Sequence, residues 1–79
     1  MLSPLEFEVL TCLIQNAGRA VSYDELLRQV WGCQPDAGNR EMVKACVKRL
    51  RRKVEENSAQ PQYIRTVRGV GYRLVIPGS

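Results

Sequence analysis

Seventy-nine residues carry twelve Lys and Arg against eight Asp and Glu, with three cysteines, no histidine and a net charge of +4. A chain this short makes one small domain that buries only about 60% of its unfolded surface, so every apolar face has to be used. No apolar run approaches the ~20 residues of a membrane span, nothing reads as a signal peptide, and the odd cysteines lack a C-x-x-C pairing, which points to free thiols in a reducing cytoplasm.

Ser3-Pro4-Leu5-Glu6 opens a first helix: Ser3 suits the cap, Pro4 the first helical position, and Glu6 completes a capping box. Leu5, Val9, Leu10, Leu13 and Ile14 form its expected buried face, with Phe7 on the margin and Gly18 at the C-cap. Residues 19–22 read as a very short extended segment. Ser22-Tyr23-Asp24-Glu25 repeats the capping-box grammar and starts a second helix through Leu26, Leu27, Val30 and Trp31, which Gly32 stops. Residues 32–39 form a loop by turn chemistry, and Asn39 is the expected cap of a third helix running to about Glu56. Strand-like residues follow at 63–67 and 72–76, separated by Arg68-Gly69-Val70-Gly71.

The third helix is the most informative element. Seven of the twelve bases fall in the fourteen positions from Arg40 to Lys53. Val43, Val47, Leu50 and Val54 recur at the spacing of one buried face. The opposite side carries Glu41, Ala45, Lys48, Arg49 and Arg52, flanked by Lys44 and Arg51. Residues 1–39 hold two bases and five acids, a net of −3, whereas residues 40–79 hold ten bases and three acids, a net of +7. A one-sided positive field attracts a polyanion, most commonly nucleic acid, although anionic lipid or an acidic protein would be attracted too.

Two short helices beneath a longer basic one, with a hairpin beside it, give an α+β fold of winged helix-turn-helix plan: three helices, a short strand and a C-terminal hairpin as the wing. Residues 1–79 are then one DNA-binding domain. Ala45 is small enough to let the helix backbone approach a groove floor, and its methyl fits a thymine methyl. Arg49 carries a fork that matches guanine O6 and N7. Lys44, Lys48, Arg51 and Arg52 suit phosphates flanking the groove, as do Arg65 and Arg73 on the hairpin. Arg68 at a tight turn suits a narrow minor groove, and Thr66 offers a hydroxyl to phosphate or a surface to a base.

Blander readings compete at several positions. Gly69-Val70-Gly71 resembles a phosphate-cradling loop only superficially, because a strand pattern rather than a helix follows. Cys46 reads as a small packed residue, and Trp31 and Tyr72 as core aromatics. Glu41 favours the helix N-terminus electrostatically. With no histidine, no nucleophile beside a base and no metal-ligand cluster, we expect neither enzymatic activity nor a cofactor.

The segments L-S-P-L-E-F-E-V-L (2–10), R-A-V-S-Y-D-E-L-L-R-Q-V-W-G (19–32), K-R-L-R-R-K-V (48–54) and Y-I-R-T-V-R-G-V-G-Y-R-L (63–74) resemble the C-terminal effector domain of OmpR/PhoB-type response regulators of two-component phosphorelay systems. That resemblance implies Arg49 as the main major-groove reader and Thr66 and Arg68 as wing contacts. It implies that residues 32–39, with Gln34, Pro35 and Asp36, form the loop that meets RNA polymerase. Two departures accompany it. Such domains commonly enter this helix with R-T-V-D-V-H-I, where this chain has Glu41-Met42-Val43-Lys44-Ala45-Cys46-Val47. They also usually begin with a four-stranded sheet, and follow a receiver domain; the sequence is then a fragment or a minimal version of such a regulator.

The expected partners are therefore duplex DNA and RNA polymerase, with weak self-association through Phe7, Leu10 and Ile14, or tandem binding on direct repeats. The alternative is a winged helix used for RNA or protein contacts. A membrane-surface role is disfavoured, because the apolar stripe of the third helix lacks the large residues that interfacial helices use.

Overall fold

A computed structural model describes residues 1–34 and 36–76. The elements run α1 (Pro4–Gln15), β1 (Ala20–Ser22), α2 (Tyr23–Leu26, prolonged by a π-helical turn Leu27–Trp31), α3 (Ala37–Val54), β2 (Ile64–Val67) and β3 (Gly71–Leu74). The order and types are those expected from the sequence, and the strands join in one antiparallel sheet of order β1-β3-β2.

Both expected capping boxes are present. Ser3 accepts from the Glu6 N–H while Glu6 accepts from the Ser3 N–H, and Ser22 and Glu25 repeat the pair. Each satisfies donors that a helix start leaves without partners. The second helix differs from expectation in its last turn, which widens so that the Gly32 N–H reaches the Leu27 carbonyl. The start of α3 also differs. Asp36 is the cap, its carboxylate accepting from the Asn39 N–H at 2.8 Å, whereas Asn39 lies inside the first turn. Asp36 wins because it has the extended backbone a cap requires (φ −152°, ψ 170°). The helix ends at Val54 rather than Glu56, because Glu55 is already extended and turns back to bind the next segment.

The core is Val9, Cys12, Leu13, Val21, Leu26, Leu27, Val43, Cys46, Val47, Leu50, Ile64, Tyr72 and Leu74. On α1 the buried face is rotated from the expected one. Glu6, Val9, Cys12 and Leu13 face inward, while Leu5, Phe7 and Ile14 are exposed. The inward place on this face goes to Glu6, whose carboxylate meets Lys53 and Arg49 of α3. The wing is fastened at both ends. Buried Glu55 accepts from the N–H groups of Gln62, Tyr63 and Ile64, holding the entry to β2. At the far end, the Tyr23 N–H donates to the Val70 carbonyl at 3.1 Å, pinning the wing tip to the start of α2.

Candidate nucleic-acid interface

The stripe of Val43, Cys46, Val47 and Leu50 is buried, which turns Glu41, Ala45, Lys48 and Arg52 outward. At about 100° per residue, Lys48 and Arg52 sit near the middle of that outer face, with Arg49 displaced toward α1 and Arg51 toward the wing. The chain therefore divides its cations by their partners.

One group is engaged within the fold. Arg40 pairs with Asp24 at 3.2 Å, and Lys44 pairs with Glu41 at 3.1 Å while lying 5.7 Å from the centre of the Tyr23 ring. Exposed pairs such as these contribute little and yield readily to a polyanion. Arg51, expected at a phosphate, is engaged within the fold. Its Nε and Nη2 donate to the Ile64 carbonyl at 3.1 and 2.8 Å, and Nη2 also donates to Thr66 Oγ1 at 2.8 Å. Its guanidinium lies 5.3 Å from the centre of the Tyr72 ring. The physical reason is its place at the edge of the buried stripe, where β2 and Tyr72 surround it. Thr66 accepts from Arg51 through one lone pair, and among the described residues its hydroxyl proton has no acceptor.

Glu6 is the acid that sequence reasoning missed as part of this surface. Only 2% exposed, it accepts from Lys53 Nζ at 2.6 Å and pairs with Arg49 Nε at 3.5 Å. The Lys53 hydrogen bond holds its carboxyl at about 2, well below the ordinary 4.5. No local pattern could have exposed it, because a capping-box Glu and a helix 47 residues later meet only in the fold.

The remaining cations, Lys48, Arg52, Arg65, Arg68, Arg73 and Arg28, have no side-chain hydrogen bond or ion pair among the described residues. Arg68 occupies the corner of the wing, where the Val70 N–H closes a turn on the Val67 carbonyl at 2.9 Å. Gly69, at φ 76°, takes the left-handed position that this turn requires. β3 follows directly, so the glycine pair serves the hairpin. Arg65 and Arg73 stand opposite each other across β2 and β3, on the face turned away from Ile64, Tyr72 and Leu74. Like charges so placed repel, and an anion between them would relieve this. They are thus separate from the α3 face. Arg28, on the widened turn of α2, was not singled out by the sequence, where nothing distinguishes it from a solvated charge.

In the loop before α3, Gln34 and Asp36 are exposed, and the Asn39 side chain fastens the loop by donating to the Gln34 carbonyl at 2.8 Å. Pro35, the third loop residue expected to meet a partner, lies outside the described residues. Burial pushes the Cys12 and Cys46 thiols up, so neither is poised as a nucleophile.

A three-helix core with a wing hairpin packed against its longest, cationic helix is a winged helix-turn-helix domain. Residues 1–74 match the family described as "Transcriptional regulatory protein, C terminal", and the chain belongs to it, as an effector domain of OmpR/PhoB type. Among curated relatives, it is 49% identical over 76 residues to the transcriptional regulatory protein AfsQ1 of Streptomyces coelicolor, covering 96% of this chain and 33% of that one. It is 45% identical over 73 residues to the DNA-binding dual master transcriptional regulator RpaA of Synechocystis, covering 92% and 30%. The chain thus spans about a third of the length of these relatives. Among solved structures, it superposes on the Klebsiella pneumoniae RstA DNA-binding domain in complex with the RstA box. The TM-score is 0.86 at 35% identity, over 95% of this chain and 73% of that one. The Thermotoga maritima response regulator DrrB, described as an OmpR/PhoB homolog, gives 0.84 at 35% identity, over 95% and 33%.

Proposed function

We propose that the chain binds duplex DNA sequence-specifically, as the output module of a transcriptional response regulator. The observation that carries this reading is the outer face of α3, where Lys48 and Arg52 flank the small residue Ala45, and the wing tip with Arg68, all three cations without a hydrogen bond or ion pair among the described residues. α3 enters the major groove, with Ala45 against the floor and Arg49 reaching a base edge from the α1 side. Lys48 and Arg52 hold phosphates, joined by Lys44 once its exposed pair with Glu41 opens. Arg68 enters the minor groove, with Thr66 beside it, while Arg65 and Arg73 meet backbone beyond the wing. Arg51 serves the assembly of this surface.

Two protein partners belong to the same reading. The loop bearing Gln34, Pro35 and Asp36 contains no base, so it suits a protein such as RNA polymerase better than it suits DNA. Phe7 and Ile14 are exposed apolar residues on α1 and suit weak self-association, or contact between neighbours on direct repeats.

Selection of bound duplexes from a random pool tests the proposal. A recurring motif is the expected result, and a pool that stays random at every round contradicts it. Preference for single-stranded RNA over duplex would favour the RNA alternative.

A further inference from the structure

Glu6 holds two cations of α3, and it holds them differently. Lys53 donates a hydrogen bond to Oε1 at 2.6 Å, whereas Arg49 forms an ion pair, its Nε 3.5 Å from Oε2. An ion pair through Nε draws the guanidinium back toward the carboxylate behind it and leaves the Nη end without an ion pair among the described residues. The carboxylate is itself fixed. It is 2% exposed, and Oε1 also accepts from the Ser3 N–H at 2.9 Å, so it cannot follow a wandering arginine. Arg49 remains 54% exposed, so much of its side chain is open to solvent.

We infer that Glu6 is a positioning residue for specificity: buried beneath α3, it braces Arg49 from behind, so that the terminal guanidinium edge is presented to a base. The inference deepens the DNA-binding reading and rests on it. An arginine left loose can find a phosphate anywhere along a duplex, which raises affinity for all sequences alike. One braced from behind pays less ordering entropy at a matching base and reaches fewer phosphates. Selectivity, more than affinity, is what the brace supplies.

The test uses the 79-residue chain and measures the ratio of affinities for a preferred duplex and its scrambled counterpart. Glu6→Gln keeps the shape and the acceptor for Ser3 but removes the charge, and it is expected to lower that ratio about five- to tenfold, within the discrimination of one good base contact. In an Arg49→Ala background the same change is expected to leave the ratio unmoved. Lys53→Ala removes the other pair on the same carboxylate and is expected to change the ratio less than about twofold. A Glu6→Gln ratio within twofold of the wild type, or an equal fall in the Arg49→Ala background, overturns the inference. A wild type with no preference overturns the DNA reading as well, which separates the two failures. If Glu6→Gln does not fold, the wild type decides: by nuclear magnetic resonance, the Nε–Hε of Arg49 should be as rigid as the backbone and that of Arg52 mobile. Equal mobility in the two overturns the brace.

Discussion

Arg51 of α3 donates from Nη2 to Thr66 Oγ1 of β2 at 2.8 Å, and the same nitrogen reaches the Ile64 carbonyl at 2.8 Å. The two elements expected to enter neighbouring grooves are thereby joined by one half-buried guanidinium, which fixes the wing relative to the helix. Arg51→Met should therefore destabilise the fold by about 1–3 kcal/mol, the scale of hydrogen bonds to a charged group that leave a partner unpaired. Urea unfolding checks this. Unchanged stability with weakened duplex affinity would return Arg51 to a phosphate role.

Gly71 sits where β3 passes the backbone of β1. A Cβ there would run into the Val21 carbonyl and the Ser22 main chain, none of which can move without unpairing the sheet. Gly71→Ala is expected to cost at least the upper end of the about 1–3 kcal/mol typical of overpacking. Gly69→Ala has open space and only the left-handed φ of 76° to oppose it, a cost of about 1–2 kcal/mol. Thermal melts of the two variants should rank them in that order, and the reverse order would contradict the packing.

Helix identities, capping boxes and the hairpin were legible in the sequence because each rests on neighbours in the chain: Ser3 with Glu6, Ser22 with Glu25, Gly69 at its turn. The division of labour among the cations was not. Periodicity places Lys48, Arg49, Arg51 and Arg52 on one polar arc, but which of them is already taken depends on Glu6 and Ile64, 43 and 13 residues away in the pairs Arg49–Glu6 and Arg51–Ile64. The burial of Glu6 also misled the reading of α1. Pattern rules put Leu5 and Ile14 inside, yet a carboxylate with cationic partners took the inward place.

Glu6 links stability to acid. Its carboxyl is lowered from 4.5 to about 2, mainly by the Lys53 hydrogen bond. A depressed folded value means that the native state favours the charged form, so this contribution is fully present above about pH 4.5 and is lost as pH falls toward 2. Urea midpoints measured between pH 6 and 2.5 should fall more steeply for the wild type than for Glu6→Gln. Parallel curves would contradict the pairing with Lys53.

Arg49 and Lys48 are expected to act differently on duplex. Arg49→Ala should cost on the order of 1–3 kcal/mol on a preferred site and less on random sequence, whereas Lys48→Ala should weaken both about equally. Competition binding with the two duplexes separates them. The same ratio of preferred to random affinity in both variants would contradict that division of labour.

The most direct measurement is the salt dependence of duplex affinity. If the three to five unpartnered cations of α3 and the wing each displace a counterion, log K should fall against log salt with a slope of about −3 to −4.5. That value is expected for the wild type, with a slope shallower by about one for Lys48→Ala or Arg52→Ala. A wild-type slope shallower than about −2 would contradict it, and would mean that this surface does not sit on a phosphate backbone.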